Sequence, residues 1–313
     1  MPRKEKCSDI EISIEKGRAM TDLAFVSASD LVIMIAKKEV SPVELTELYL
    51  NRIDRLDSHL NSFLLLTRDH AMKSAKEAEI AILRGETRPL HGLPIAIKDT
   101  QMTGGIRTTS GSLPLINRIP KRDCAIVERV KDAGAIIIGK TNVPEFGMVG
   151  TCENLLGEPG RNPWNTNHTP GGSSGGAAAA VASYLCPVAT GSDGGGSIRI
   201  PAHFCGIYGI KPTQGRVSGY SGLDGPPMPY IFSQNGPLTR TVRDAAMLLQ
   251  VMAGHDSRDP NSMRDASPDF VAAASRDIGR LRIGWSPDFG FADVNSEVLE
   301  VTSKGSRVIE ELD

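Results

Sequence analysis

Three polar residues carry the chemistry this sequence could do. Ser173 stands in Pro170-Gly171-Gly172-Ser173-Ser174-Gly175-Gly176, and Ser197 in Ser192-Asp193-Gly194-Gly195-Gly196-Ser197-Ile198-Arg199. Upstream, Lys98 closes the run Gly92-Leu93-Pro94-Ile95-Ala96-Ile97 and precedes Asp99. A serine hydroxyl attacks an acyl carbon only when a base takes its proton. A lysine ending a buried strand can be that base, because desolvation disfavours the ammonium and lowers its pKa from about 10.4. The neutral amine then accepts a proton near neutral pH. Where Lys98 cannot reach Ser197 directly, Ser173 can pass the proton, since a hydroxyl donates and accepts at once. Gly194, Gly195 and Gly196 leave successive N–H groups clear of side chains, so they can converge on one oxygen as an oxyanion hole. Taken singly, each residue has a plainer reading: a strand-end lysine is usually solvated or ion-paired, and a serine among glycines is usually a turn former.

These residues need elements to hold them. Ser41-Pro42 with Glu44 reads as a helix start, with a capping serine, proline at the first position and an acid in the first turn. Leu45, Leu48, Ile53 and Leu56 continue at helical spacing. Phe63–Leu66 reads as a short strand, and Arg68–Arg84 as an amphipathic helix closed by Gly85. Strands are expected at Leu93–Ile97, Ala135–Ile138 and Leu281–Trp285, and helices at Val127–Asp132, Ala177–Ala182, Arg240–Met252 and Ser296–Leu312. Such alternation predicts an α/β fold, a mixed sheet covered by helices. Of 32 glycines, fourteen lie between Gly171 and Gly225. Ala177–Ala182, Ile198, Ile200 and Phe204 interrupt that stretch, so it reads as a structured site built from main chain and not as a linker.

Two further motif matches fail on physical grounds. Gly134-Ala135-Ile136-Ile137-Ile138-Gly139-Lys140-Thr141 fits a phosphate-binding P-loop, but three consecutive isoleucines prefer a strand, and Pro144 follows where a helix should open. Gly171-Gly172-Ser173-Ser174-Gly175 fits a nucleophile elbow, but Asn165-Thr166-Asn167-His168-Thr169-Pro170 before it is loop chemistry where an apolar strand is required.

Composition narrows the classes. The chain has 313 residues and a formal charge of −2, without the basic excess that marks a nucleic-acid or anionic-membrane binder. Its apolar runs are too short to span a bilayer. The charged N-terminal stretch lacks the apolar core of a signal peptide, so a cytoplasmic location is expected. The five cysteines, an odd number without C-x-x-C spacing, read as inert thiols in a reducing compartment. The six histidines are scattered and no H-E-x-x-H occurs, so no metal is expected.

The ordered segments Gly92–Asp99, Gly134–Glu145, Asn162–Trp164, Pro170–Gly176, Ser192–Arg199, Phe204–Pro212 and Gly236–Asp244 closely resemble those of the amidase signature family. They cover most of 92–244, about half the chain. The resemblance implies the family fold, a mixed sheet with helices on both faces. It implies hydrolysis of carboxamide C–N bonds with Ser197 as nucleophile, Ser173 as relay on a cis peptide and Lys98 as base. It implies an acyl-enzyme and an oxyanion hole from the N–H groups of Gly194–Ser197. Asp193 and Arg199 then pair to hold that loop, and Ser174 supports the relay. No cofactor is implied. Partners are expected to be a small-molecule amide, no nucleic acid and no membrane, with a homodimer left open.

Within the family, Gly225–Asn235 looks more like the free-standing amidases than the glutaminase-type component that supplies ammonia to misacylated transfer RNA, which is kept as the alternative. Residues 1–25 read as an extension without a family counterpart, which need not be ordered, and 26–313 as the amidase domain. Family members are longer, and the last helix runs out without a cap, so a C-terminal part is expected to be missing. An inactive fragment acting only as a binding module is the reading that follows if that part is essential.

Overall fold

The computed structural model describes residues 23–223, 232–277, 279 and 281–311. Two apolar runs build its centre. Pro94–Lys98 (β2) and Ile136–Thr141 (β3) are buried at every position, as expected of parallel strands covered on both faces. They pair in parallel, Lys98 opposite Thr141. A parallel pair needs a crossover, and here it includes the helix Ala125–Asp132 (α4).

In chain order the elements before β2 are the helices Ala28–Ala36 (α1) and Pro42–Leu56 (α2), the strand Phe63–Leu66 (β1) and the helix Arg68–Leu83 (α3). Ser41 caps α2 as expected: its hydroxyl accepts from the N–H groups of Val43 and Glu44. After β3 come the helix Gly175–Ala182 (α5), the strand Val188–Asp193 (β4), the helix Arg199–Cys205 (α6), the strands Tyr208–Gly209 (β5) and Gln234–Thr239 (β6), and the helix Val242–Met252 (α7). The sheet runs β1-β3-β2-β4-β6-β5. β1 is antiparallel to β3, β4 parallel to β2, and β6 antiparallel to both β4 and β5. The expected mixed α/β sheet is therefore present.

This order positions the site. β2 and β4 are parallel neighbours, so Lys98 and Asp193, their last residues, emerge at the same end of the sheet. α5 is buried from Gly175 to Val181, so it is apolar all round, as a core helix must be. Its start lies hard against the chain after β3: a Cβ at Gly176 would sit 2.4 Å from Asn142 N. That close approach, possible only for glycine, brings the preceding Ser173 and Ser174 to the sheet.

The chain divides into two units, Met1–Ala274 and Ser275–Asp313, with the helix Phe270–Ser275 (α8) at the division. In the second unit, Ser296–Glu310 (α9) forms the expected helix, capped at its start by Asn295. The strand expected at Leu281–Trp285 does not form. A strand must satisfy its backbone against a neighbour, and this segment has no pairing partner among the described residues. Apolar alternation without an edge to pair with makes no strand. Other boundaries move by one to three residues. Residues 1–22 of the N-terminal extension lie outside the described residues, as do residues 224–231 of the segment compared within the family.

Candidate active site

Lys98 is fully buried, and its amine donates to Ser173 Oγ at 2.7 Å, to Ser192 Oγ at 3.0 Å and to Ser192 O at 3.4 Å. Burial pushes its pKa from 10.5 down to about 7, with Cys152 and Asp193 pulling weakly the other way. The amine thus faces neutral hydroxyl and carbonyl oxygens and has no carboxylate partner among the described residues. Ser173 follows a cis Gly172–Ser173 peptide. Gly172 has no room for a side chain, since a Cβ would lie 1.9 Å from Thr151 O. Gly172→Ala is therefore expected to lower stability by about 3 kcal/mol, measured by urea unfolding. An unchanged midpoint would show that the Thr151 loop yields.

Ser197 is half-buried, two residues before α6. Its backbone carbonyl accepts from Ser174 N–H at 3.1 Å, which ties the two serine loops together. The Ser174 hydroxyl strengthens that tie by accepting from Ser192 N–H at 3.3 Å. A hydrogen bond between Ser173 Oγ and Ser197 Oγ is not formed among the described residues. Catalytic hydrogen bonds are often loose before substrate binds and tighten in the complex.

Asp193 organises the glycine turn. Its carboxylate accepts from Gly196 N–H at 2.7 Å, from the N–H groups of Ile198 and Arg199 at 3.3 Å, and from the Arg199 guanidinium at 2.9 Å twice. Burial alone would raise its pKa, but these hydrogen bonds, Arg199 foremost, hold it below the ordinary carboxylate value. The Gly196 N–H is thereby taken out of the candidate oxyanion donors. The N–H groups of Gly194, Gly195 and Ser197 have no acceptor among the described residues. A Cβ at Gly195 would meet nothing within 4 Å, so a substrate can approach the main chain there.

The site opens to the surface. Neither the cavity of about 500 Å³ beside Trp164 and His203 nor that of about 350 Å³ beside His70 and His91 is lined by Lys98, Ser173 or Ser197. The loop over Ser173 brings Gly147 close enough that a Cβ there would sit 3.1 Å from Ser173 Oγ, while its neighbours Phe146 and Met148 are exposed. Cys152, in the same loop, is fully buried, and burial raises its thiol pKa to about 12. Cys124, Cys186 and Cys205 are also buried and unpaired. No helix among the described residues is long and apolar enough to cross a membrane, and none of their His, Cys, Asp and Glu side chains cluster in threes to hold a metal ion.

The P-loop match is a strand. Lys140 is fully buried and donates to Gln101 O at 2.6 Å, Thr103 Oγ1 at 2.8 Å and Thr108 Oγ1 at 3.1 Å, so it braces the chain after β2 and binds no phosphate loop. Sequence reading missed Ser192, which gives Lys98 two acceptors. The available signal was its position, directly before Asp193 on a strand that ends beside β2.

A mixed sheet of this order, with one glycine-rich serine loop after β4 and a second leading into α5, defines a class. The family profile described as Amidase matches residues 44–313, and the chain belongs to that family. It is 43% identical over 298 residues to a glutamyl-tRNA(Gln) amidotransferase subunit of Carboxydothermus hydrogenoformans, covering 93% of this chain and 60% of that protein. The corresponding subunit of Methylococcus capsulatus is 46% identical over 267 residues, covering 83% and 53%. Among solved structures, a bacterial aryl acylamidase of the amidase signature family matches with TM-score 0.86 and 36% identity, over 92% of this chain and 59% of that one. The chain thus spans little more than half the length of these relatives.

These relatives correct two expectations. The expected partners, a small-molecule amide with no nucleic acid and a possible homodimer, are overturned by relatives that are subunits of a glutamyl-tRNA(Gln) amidotransferase. Near-zero net charge speaks only to whether this chain itself grips phosphates, not to the reaction an assembly serves. The leaning of Gly225–Asn235 toward free-standing amidases is likewise outweighed by the higher identity to the amidotransferase subunits.

Proposed function

We propose that this chain carries the amide-cleaving region of a tRNA-dependent amidotransferase, the subunit that releases ammonia from a carboxamide for transfer to a tRNA-linked acyl group. The supporting observation is identity of 43–46% to glutamyl-tRNA(Gln) amidotransferase subunits over 83–93% of the chain, joined to the presence of Lys98, Ser173 and Ser197. Neutral Lys98 takes the Ser173 proton as Ser173 takes that of Ser197. Ser197 Oγ bonds to the carbonyl carbon, and the displaced electron pair settles on an oxygen received by the N–H groups of Gly194, Gly195 and Ser197. Collapse breaks the C–N bond, the proton on Lys98 returns through Ser173 to the leaving nitrogen, and ammonia departs. Water then attacks the acyl-Ser197 ester by the same route, freeing the acid and restoring Ser197.

A second reading, a free-standing amidase, is favoured by the 0.86 TM-score with the aryl acylamidase and 0.83 with 6-aminohexanoate cyclic dimer hydrolase. Ammonia release from glutamine, set beside aniline release from an acylated aniline, separates the two. Higher kcat/KM for glutamine is expected. Preference for the anilide supports the second reading, and turnover of neither supports the inactive binding module.

A further inference from the structure

Gln101 lies three residues beyond Lys98, is buried, and bonds with both ends of its amide to two strands, β4 and β6. Its Nε2 donates to Gly191 O at 3.1 Å on β4 and to Asn235 Oδ1 at 3.2 Å on β6. Its Oε1 accepts from the Thr190 hydroxyl, and Thr190 Oγ1 in turn accepts from the Lys98 backbone N–H at 3.2 Å. Its own carbonyl receives buried Lys140 at 2.6 Å, which fixes the main chain from which the side chain projects.

The contact on Gly191 O matters most. That carbonyl and the Ser192 N–H belong to one peptide unit. Gln101 holds its oxygen and Ser174 Oγ holds its N–H at 3.3 Å. The same peptide leads into the Ser192 oxygens that take two of the three hydrogen bonds from Lys98 Nζ. From this we infer that Gln101 is a positioning residue for the base: by gripping the Gly191–Ser192 peptide and the Thr190 hydroxyl, it fixes where Lys98 stands relative to Ser173. The inference rests on the serine–serine–lysine reading. A buried amide with every polar atom committed holds its neighbours in one arrangement, and its loss leaves Gly191 O and the Thr190 hydroxyl without those partners.

The test is the rate of Ser197 labelling by a fluorophosphonate against pH, with far-UV circular dichroism on each sample. Gln101→Met fills similar volume without hydrogen bonds. Its plateau rate is expected to fall about 10-fold, as for a lost positioning contact. The acid-limb midpoint is expected to move to lower pH, because an ammonium that loses its Ser192 acceptors is less stabilised. A merely structural loss would scale the rate at every pH and leave the midpoint in place. Gln101→Asn keeps an amide but is one methylene too short to span Gly191 and Thr190, so it should show both effects in milder form and serves if the Met variant does not fold. Cys152 and Asp193, the titratable groups that act on Lys98, and Asp99 and Lys140 nearby are unchanged in both. A labelled wild type with folded variants of wild-type rate and midpoint overturns the inference alone. A folded wild type that takes no label overturns it together with the relay.

Discussion

Ser197→Ala is expected to reduce amide cleavage on the order of 10⁴-fold to 10⁶-fold, the loss typical when a hydroxyl nucleophile is removed from a working triad. Nothing in the surroundings lets another hydroxyl take over. Ser173 Oγ is engaged by Lys98 at 2.7 Å and is buried, and Ser174 Oγ is committed to Ser192 N–H at 3.3 Å. Ser197 alone of the three is half-exposed beside the open main chain of Gly194 and Gly195. The variant should fold as the wild type does, since no side-chain hydrogen bond is lost among the described residues. Turnover by Ser197→Ala within about 10-fold of wild type would place the nucleophile elsewhere.

The second large effect concerns the base. Lys98→Met is expected to cost on the order of 10⁴-fold in rate, because Ser173 is left with no acceptor for its proton. In the wild type the rate should rise with pH through about 7 and then level, since only the neutral amine takes a proton and burial has moved its pKa to about 7. An amine at its ordinary value of 10.5 would delay that rise past pH 10. Stability carries the same signature. Above the folded pKa the native lysine is neutral while the unfolded lysine still holds its proton, so the unfolded state binds more protons and stability increases with pH. Lys140, lowered by burial to about 8, acts in the same sense. The buried thiols of Cys124, Cys152, Cys186 and Cys205, raised to about 11 or 12, act in the opposite sense once unfolded thiols ionise. Lys140 also contributes between about pH 7 and 8, so the difference between wild type and Lys98→Met over that window is what reports Lys98. Lys98→Met should flatten the rise in urea midpoint there, and an identical slope in both proteins would mean that Lys98 titrates outside it.

What could be read in advance was local. β2 and β3 announced themselves because strands buried on both faces need unbroken apolar runs, which Ile95–Ile97 and Ile136–Ile138 supply. α2 was legible from Ser41, Pro42 and Glu44 because a helix start has its own side-chain chemistry. Lys98, Ser173 and Ser197 stood out by residue type within glycine turns and at a strand end. What stayed hidden depended on which strands become neighbours. Ser192 and Thr190 matter because β4 lies beside β2 rather than beside β3, and Gln101 reaches both only through that arrangement. No pattern within a short window encodes a contact between residues some ninety positions apart. The use of Gly196 N–H by Asp193 was equally invisible, because a run of glycines does not say which N–H turns inward. Leu281–Trp285 failed for the converse reason, a local pattern without a neighbour to complete it.

The most direct measurement is intact mass after treatment with a fluorophosphonate, followed by peptide mapping of the modified site. A single phosphonyl group per chain is expected, located on Ser197, at a rate that climbs through about pH 7. A folded chain that takes no label, or a label that maps to Ser173 or Ser192, would contradict the Ser197 relay.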